Sequence, residues 1–282
     1  MLKVGLLGPL EVTVDEQPVA VDAKAQRNLL AILALEVGNE LSLDRISEGL
    51  WGDELPKKPN EALRFHIHGL RNTLGDAGER LVTRAKAYLL DVPADEIDLN
   101  RFYSLVSAGT GALGGGDPAG AASTIDAALQ LWRGTPLGEF SYDDFAQPEL
   151  RRLEEARALA LQSRYEAALQ LGNSAEAVSD LAGLVEEYPY REGLWALYIT
   201  ALHRTGRSVE ALREAQRFRE RLVEETGLEP SGVFLDAENA ILLNDPGLPE
   251  PPRITPRSSV PAPIGSLIGR DRELGEVVRR LG

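Results

Sequence analysis

Apolar side chains near the N-terminus fall on every second residue. Leu2, Val4 and Leu6, then Leu10, Val12 and Val14, then Val19 and Val21 alternate with polar neighbours, and Gly8-Pro9 and Asp15-Glu16-Gln17-Pro18 separate the runs. A period of two broken by turn residues predicts a small antiparallel sheet. From Ala23 the period lengthens. Leu29, Leu30, Leu33 and Val37 recur at helical spacing up to Gly38, and a second helix is expected from Ser42, a suitable N-cap, through Leu43, Ile46 and Leu50 to Trp51-Gly52. Pro59 and Gly75 bound a third helix, because proline's missing N–H has no partner to lose in a first turn and glycine is the usual stop. Over 59–74, Leu63, Ile67, Leu70 and Leu74 gather into one apolar stripe, with Asn60, Arg64, His68 and Arg71 as a second stripe beside it. The next segment, RLVTRAKAYLLDV, holds two β-forming runs around Arg84-Ala85-Lys86-Ala87 and reads as a tight hairpin with two cations near its tip.

Beyond Ile97 the pattern is helical, with Gly109 to Gly116 expected as a flexible connector. A shift of 34 residues sets Gly172 on Gly206, Glu176 on Glu210, Ala177 on Ala211 and Leu184 on Phe218. That period, with small residues where helices cross, is the tetratricopeptide signature. Too few copies are visible for a complete stack, so the other helices are expected to cap it. Such arrays present a surface to another protein; a purely architectural role is the alternative.

Charge changes the picture. The chain has 282 residues and a formal net charge of −14, yet residues 57–88 carry seven Lys and Arg against three acids. An acidic protein repels phosphate over most of its surface, so any DNA contact must be local and oriented. Lys24, Arg27, Lys57, Lys58 and Lys86 are the expected phosphate contacts, and Asn60, Arg64, His68 and Arg71 the expected readers of base edges, with Asn72 in the same DNA-binding set. A solvated charged face is the competing reading of the helix alone.

The 43% hydrophobic content supports about two packed domains. With no cysteine, thiolate chemistry is excluded, and no window is long and apolar enough for a membrane span, so a cytoplasmic, nucleoid-associated protein with no membrane partner is expected. His66 and His68 lie about 200° apart around a helix and cannot chelate one ion together. Glu154-Glu155, Glu186-Glu187 and Glu224-Glu225 lie on helices rich in Arg or Lys, where solvated ion pairs explain them, and Gly114-Gly115-Gly116 lacks the Gly-Lys-Ser/Thr of a phosphate loop. No enzyme, catalytic residue, metal or resident cofactor is expected.

LLGPLEV, the AQRNLLAIL helix and LWGDELPKKPNEALRFHIHGLRNTLG resemble the DNA-binding domain of the Streptomyces antibiotic regulatory proteins, including the large AfsR-like regulators. EYPYREGLWALYITALHRTGRSVEALREAQRFRERLVEETGLEPSGVFLDAENAIL resembles the bacterial transcriptional activation domain that follows it in that family. The resemblance implies an α+β OmpR-like winged helix-turn-helix at 1–96, then an all-α, tetratricopeptide-like domain at 97–245. It implies a transcriptional activator whose third helix reads promoter DNA through Arg64, His66, His68 and Arg71, and whose wing contributes Thr83, Arg84 and Lys86. It also implies paired copies on direct repeats, recruitment of RNA polymerase holoenzyme through its sigma factor, and control of secondary-metabolite genes such as those for antibiotics. The wing departs from the family, with Ala85-Lys86-Ala87-Tyr88 where members often carry Pro-Pro-Gly-Tyr.

Residues 246–264 are proline-rich and read as a linker, and Gly269-Arg270-Asp271-Arg272-Glu273 within 265–282 resembles the entry of a nucleotide-binding (NB-ARC-like) domain. The expectation is therefore an N-terminal fragment of a longer parent, with ATP or ADP belonging to the absent domain. The rival readings are a protein scaffold with a vestigial winged helix, or the effector end of a signalling ATPase.

Overall fold

The alternating N-terminal runs form β1 (Leu2–Gly5), β2 (Glu11–Val14) and β3 (Gln17–Pro18), an antiparallel sheet with Leu2 opposite Val14 and Val4 opposite Val12. Regular pairing of the third run covers only Gln17 and Pro18, because proline has no N–H to continue the ladder, although the Val19 N–H still donates to Val12 O at 2.8 Å. The structure, a computed structural model, describes residues 1–243; the linker expected at 246–264 and the nucleotide-binding entrance expected at 265–282 lie outside the described residues.

Three helices follow the first sheet: α1 (Lys24–Leu35), α2 (Leu43–Trp51) and α3 (Pro59–Leu74). Ser42 caps α2 by accepting the Arg45 N–H at 3.2 Å. A second sheet joins β4 (Leu41–Ser42) to the hairpin of β5 (Leu81–Arg84) and β6 (Ala87–Leu90) in the order β4-β6-β5, with Thr83 opposite Tyr88 and Arg84 opposite Ala87. Helix, helix, helix and hairpin in this arrangement are a winged helix-turn-helix.

The rest of the described chain is helical: α4 (Asp98–Gly114), α5 (Pro118–Leu129), α6 (Gln147–Gln170), α7 (Ser174–Glu187), α8 (Glu192–Arg204), α9 (Ser208–Thr226) and α10 (Gly232–Leu242). The 34-residue repeat is realised in the turns before α7 and α9. Gly172 and Gly206 sit there at φ +86° and +80°, a left-handed conformation glycine adopts freely, and Ala177 and Ala211 are buried one turn later. Gly109 to Gly116 is not a flexible connector: α4 runs to Gly114. Gly109 is buried there, and a Cβ would meet Ile125 Cγ1 at 2.5 Å, so the missing side chain is what lets α5 approach. No helix among the described residues is long and apolar enough to cross a membrane.

Two large hydrophobic cores result among the described residues, beside a small cluster of Leu113, Ala121 and Ala167. One runs from Leu2 to Ala160, uniting both sheets and α1–α3 with Phe102, Ile125, Phe140 and Leu153 of the helical region. The other, centred on Trp195, Phe218 and Phe234, fills the repeats from Tyr165 onward. Helix α6 spans both, with Leu153 in the first and Leu169 in the second. At 24 residues it is about 36 Å long, a continuous strut between the winged helix and the repeats.

Polar contacts reinforce the first core where the two regions meet. The Asp98 carboxylate, at the start of α4, accepts the backbone N–H groups of Leu6 at 2.7 Å and Leu7 at 3.0 Å, and Arg133 donates to it at 2.9 Å. Glu139 accepts the Leu10 N–H at 3.0 Å and Arg27 Nε at 2.5 Å. A parallel bridge between Val4 and Ile97 completes the seam.

Candidate nucleic-acid interface

Helix α3 is gripped by its apolar stripe: Leu63, Ile67, Leu70 and Leu74 are all buried among α1, α2 and the second sheet. Its outer face carries Asn60, Glu61, Arg64, Phe65, His68 and Asn72, all exposed. The His68 Nε2 and Asn72 Nδ2 atoms lie 3.2 Å apart one turn from each other, and Lys58 pairs with Glu61 at 2.8 Å where the helix begins. That pair is exposed on both sides and contributes little to stability, so phosphate can compete for the lysine. An α-helix of this kind fits a major groove about 12 Å wide, where an arginine can grip guanine O6 and N7 together.

Arg71 is committed differently from the expectation that it reads a base. Its Nε donates to Leu81 O at 3.1 Å, and its Nη2 donates to Leu81 O and to Thr83 Oγ1, the latter at 2.8 Å. Arg71 and Thr83, both expected on DNA, thus bind each other and fasten β5 to α3. Gly78 permits this closeness, since a Cβ there would meet Arg71 O at 2.5 Å. We describe Arg71 as a positioning residue that sets the angle between helix and wing.

The other expected contacts divide in the same way. Arg27 is drawn inward: besides Glu139 it donates to Val21 O at 3.1 Å, so its guanidinium lies in the seam with the helical region. His66 is half-buried with its ring centroid 6.2 Å from Trp51 and 5.6 Å from Phe65, and burial lowers its pKa. It is a packing group that stays neutral further into acid than a free imidazole. Lys24, Lys57 and Lys86 are exposed, and Arg84 Nε pairs with Glu40 at 3.2 Å in an equally exposed contact. The fold therefore brings Asn60, Arg64, His68 and Asn72 onto one helical face, with Lys57 and Lys58 at that helix's start and Arg84 and Lys86 on the wing.

Phe65 is a feature the charge pattern passed over. It is 71% exposed, at the edge of the polar face beside Glu61 and Asn72. The available signal was its position one residue after Arg64, off the Leu63 and Ile67 stripe. Among the described residues, no group of three His, Cys, Asp or Glu side chains is placed to hold a metal ion.

Residues 97–242 match the family described as the bacterial transcriptional activator domain. The regulatory protein DnrI of Streptomyces peucetius is 33% identical over 256 residues, which is 88% of this chain and 94% of that one. The regulatory protein AfsR of Streptomyces coelicolor is 34% identical over 289 residues, 98% of this chain but 29% of its own length. The transcriptional regulatory protein EmbR of Mycobacterium tuberculosis is 32% identical over 249 residues, and the chain spans 64% of that relative. A solved structure of EmbR in complex with a low-affinity phosphopeptide superposes with a TM-score of 0.83 at 31% identity, covering 87% of this chain and 66% of that one.

Proposed function

We propose that this chain, which belongs to the Streptomyces antibiotic regulatory protein family of transcriptional regulators, is a sequence-specific activator that docks α3 in the major groove of promoter DNA. Asn60, Arg64, His68 and Asn72 face base edges; Lys24, Lys57, Lys58, Arg84 and Lys86 hold phosphates. Arg71 sets the wing against the neighbouring groove. The observation carrying this reading is the exposed stripe of α3: a guanidinium, an imidazole and two amides side by side, on a helix whose opposite face is sealed in the core of an otherwise acidic protein.

One winged helix covers a short half-site, so two copies bind side by side on direct repeats, and the helical repeats beside them contact RNA polymerase holoenzyme through its sigma factor. The genes served are those of secondary metabolism, in the cytoplasm. The described residues need no cofactor for this and catalyse nothing; ATP or ADP would belong to a further domain.

Selection of bound duplexes from random DNA tests the reading. It predicts an enriched motif containing guanine, repeated in one orientation about a helical turn apart. Five phosphate contacts per copy predict a slope of log K against log salt of about −4.5 per copy, at about −0.9 per contact. A flat salt response with no enriched motif would instead favour the scaffold reading.

A further inference from the structure

An exposed apolar side chain is ordinary when it stands alone, but Phe65 does not stand alone. It shares the outer face of α3 with Glu61 and Asn72, at four residues before it and seven after, and lies at the edge of that face one residue beyond Arg64. Its ring meets the edge of His66 at 71° with centroids 5.6 Å apart, and His66 in turn leans on Trp51 at the end of α2. The ring is therefore braced from behind while 71% of the residue faces water. Charged and amide groups on this face can read donors and acceptors; the ring can read neither.

The apolar feature a major groove offers is the 5-methyl group of thymine, which protrudes from the base edge and is contacted by side chains of this type. We infer that Phe65 reads a thymine 5-methyl group, giving the binding site a required thymine within a base pair or two of the guanine held by Arg64. The close spacing follows from the helix: adjacent residues rise about 1.5 Å, less than the 3.4 Å between stacked base pairs. This rests on the docking of α3 proposed above. It adds a contact of a different chemical kind, which charge neutralisation does not supply and salt does not screen.

The test separates the two layers. The duplex that the full chain enriches from random DNA is resynthesised with each thymine replaced in turn by deoxyuridine, which removes the methyl group and nothing else. At one position the unmodified chain should bind about fourfold more weakly, the loss expected for one buried methyl group. The Phe65→Ala chain should bind the thymine and deoxyuridine duplexes equally, and Phe65→Leu should keep part of the difference. Because the side chain is mostly exposed, both variants should retain the circular dichroism spectrum of the native chain. If no thymine responds, or if the difference persists in Phe65→Ala while Arg64→Ala still loses its guanine preference, the Phe65 assignment is wrong and the docking of α3 stands. If the native chain shows no sequence preference at all, the docking itself fails and this contact with it.

Discussion

Replacing Asp98 with alanine should cost about 3–5 kcal/mol of stability, although the residue lies far from the recognition helix in sequence. Its carboxylate, 15% exposed, accepts the N–H groups of Leu6 at 2.7 Å and Leu7 at 3.0 Å, two residues that are wholly buried. Hydrogen bonds to a charged acceptor contribute about 1.5–3 kcal/mol each, and a buried donor left without a partner costs about 1–3 kcal/mol. Arg133 adds little to the loss, because it keeps Glu11 at 2.8 Å and Pro9 O at 3.2 Å. Two donors at the middle of those ranges give the figure above, a large share of the 5–15 kcal/mol typical of a folded domain. Asp98→Asn retains one oxygen for one of the two N–H groups and should lose about half as much. Urea unfolding followed by circular dichroism reads the difference as a fall in midpoint at unchanged slope. A loss below about 1 kcal/mol for alanine, or an asparagine variant as damaged as alanine, would show that the two N–H groups find other partners and that Asp98 is not what secures the strand.

Three further outcomes follow from the geometry. Arg64→Ala should leave stability within about 0.5 kcal/mol of the native chain while flattening guanine preference by about 1–3 kcal/mol, whereas Arg71→Ala should weaken all duplexes alike and keep their ranking; competition binding against base-substituted sites distinguishes the two. Burial works to raise the Glu139 carboxyl, but the Arg27 hydrogen bond, the Leu10 N–H and the Arg27 charge together hold its pKa below the ordinary 4.5. Its contribution is therefore complete above that value and is lost as pH falls through the folded-state pKa, so the stability gap between the native chain and Glu139→Gln, measured by urea titration at several pH values, should narrow only below about pH 4.5. Gly206, at φ +80° with open space around it, should lose about 1–2 kcal/mol on change to alanine and less on change to asparagine, as thermal unfolding would record.

What could be read from the sequence was whatever depends on near neighbours. Pro59 and Gly75 bound α3 because start and stop signals act within a turn of the helix end. The repeat was legible because Gly172 and Gly206 perform the same local task in two places. Near-neighbour patterns are silent where the deciding partner is distant. Gly109 suggests flexibility until Ile125 is packed against it. Arg27 counts as a free cation until Glu139, 112 residues later, folds over it. Arg71 counts as a base reader until the hairpin brings Leu81 O within reach. A cation in sequence has a charge but no address, because the carbonyls and carboxylates competing for it are assigned only by the tertiary fold. The same limit hid Asp98, whose Leu6 and Leu7 partners lie about ninety residues away.

Those distant partners also explain how so acidic a chain can present a basic surface in one orientation. If the winged helix swung freely on a linker, the acidic helical region could approach the duplex and repulsion would oppose binding in many poses. The shared core from Leu2 to Ala160, the Asp98 clamp and the Arg27–Glu139 pair remove that freedom. The repeats are then carried by α6, a strut that enters both cores and so has no hinge between them. With the recognition helix in a groove, the position of the second core relative to the DNA axis is set by covalent and packed structure alone. A partner reaching the repeats meets a surface whose ordering cost was met during folding, which is the condition under which a modest contact area yields useful affinity. The clamp residues, remote from any base, should therefore influence activation more than their effect on DNA affinity alone would suggest.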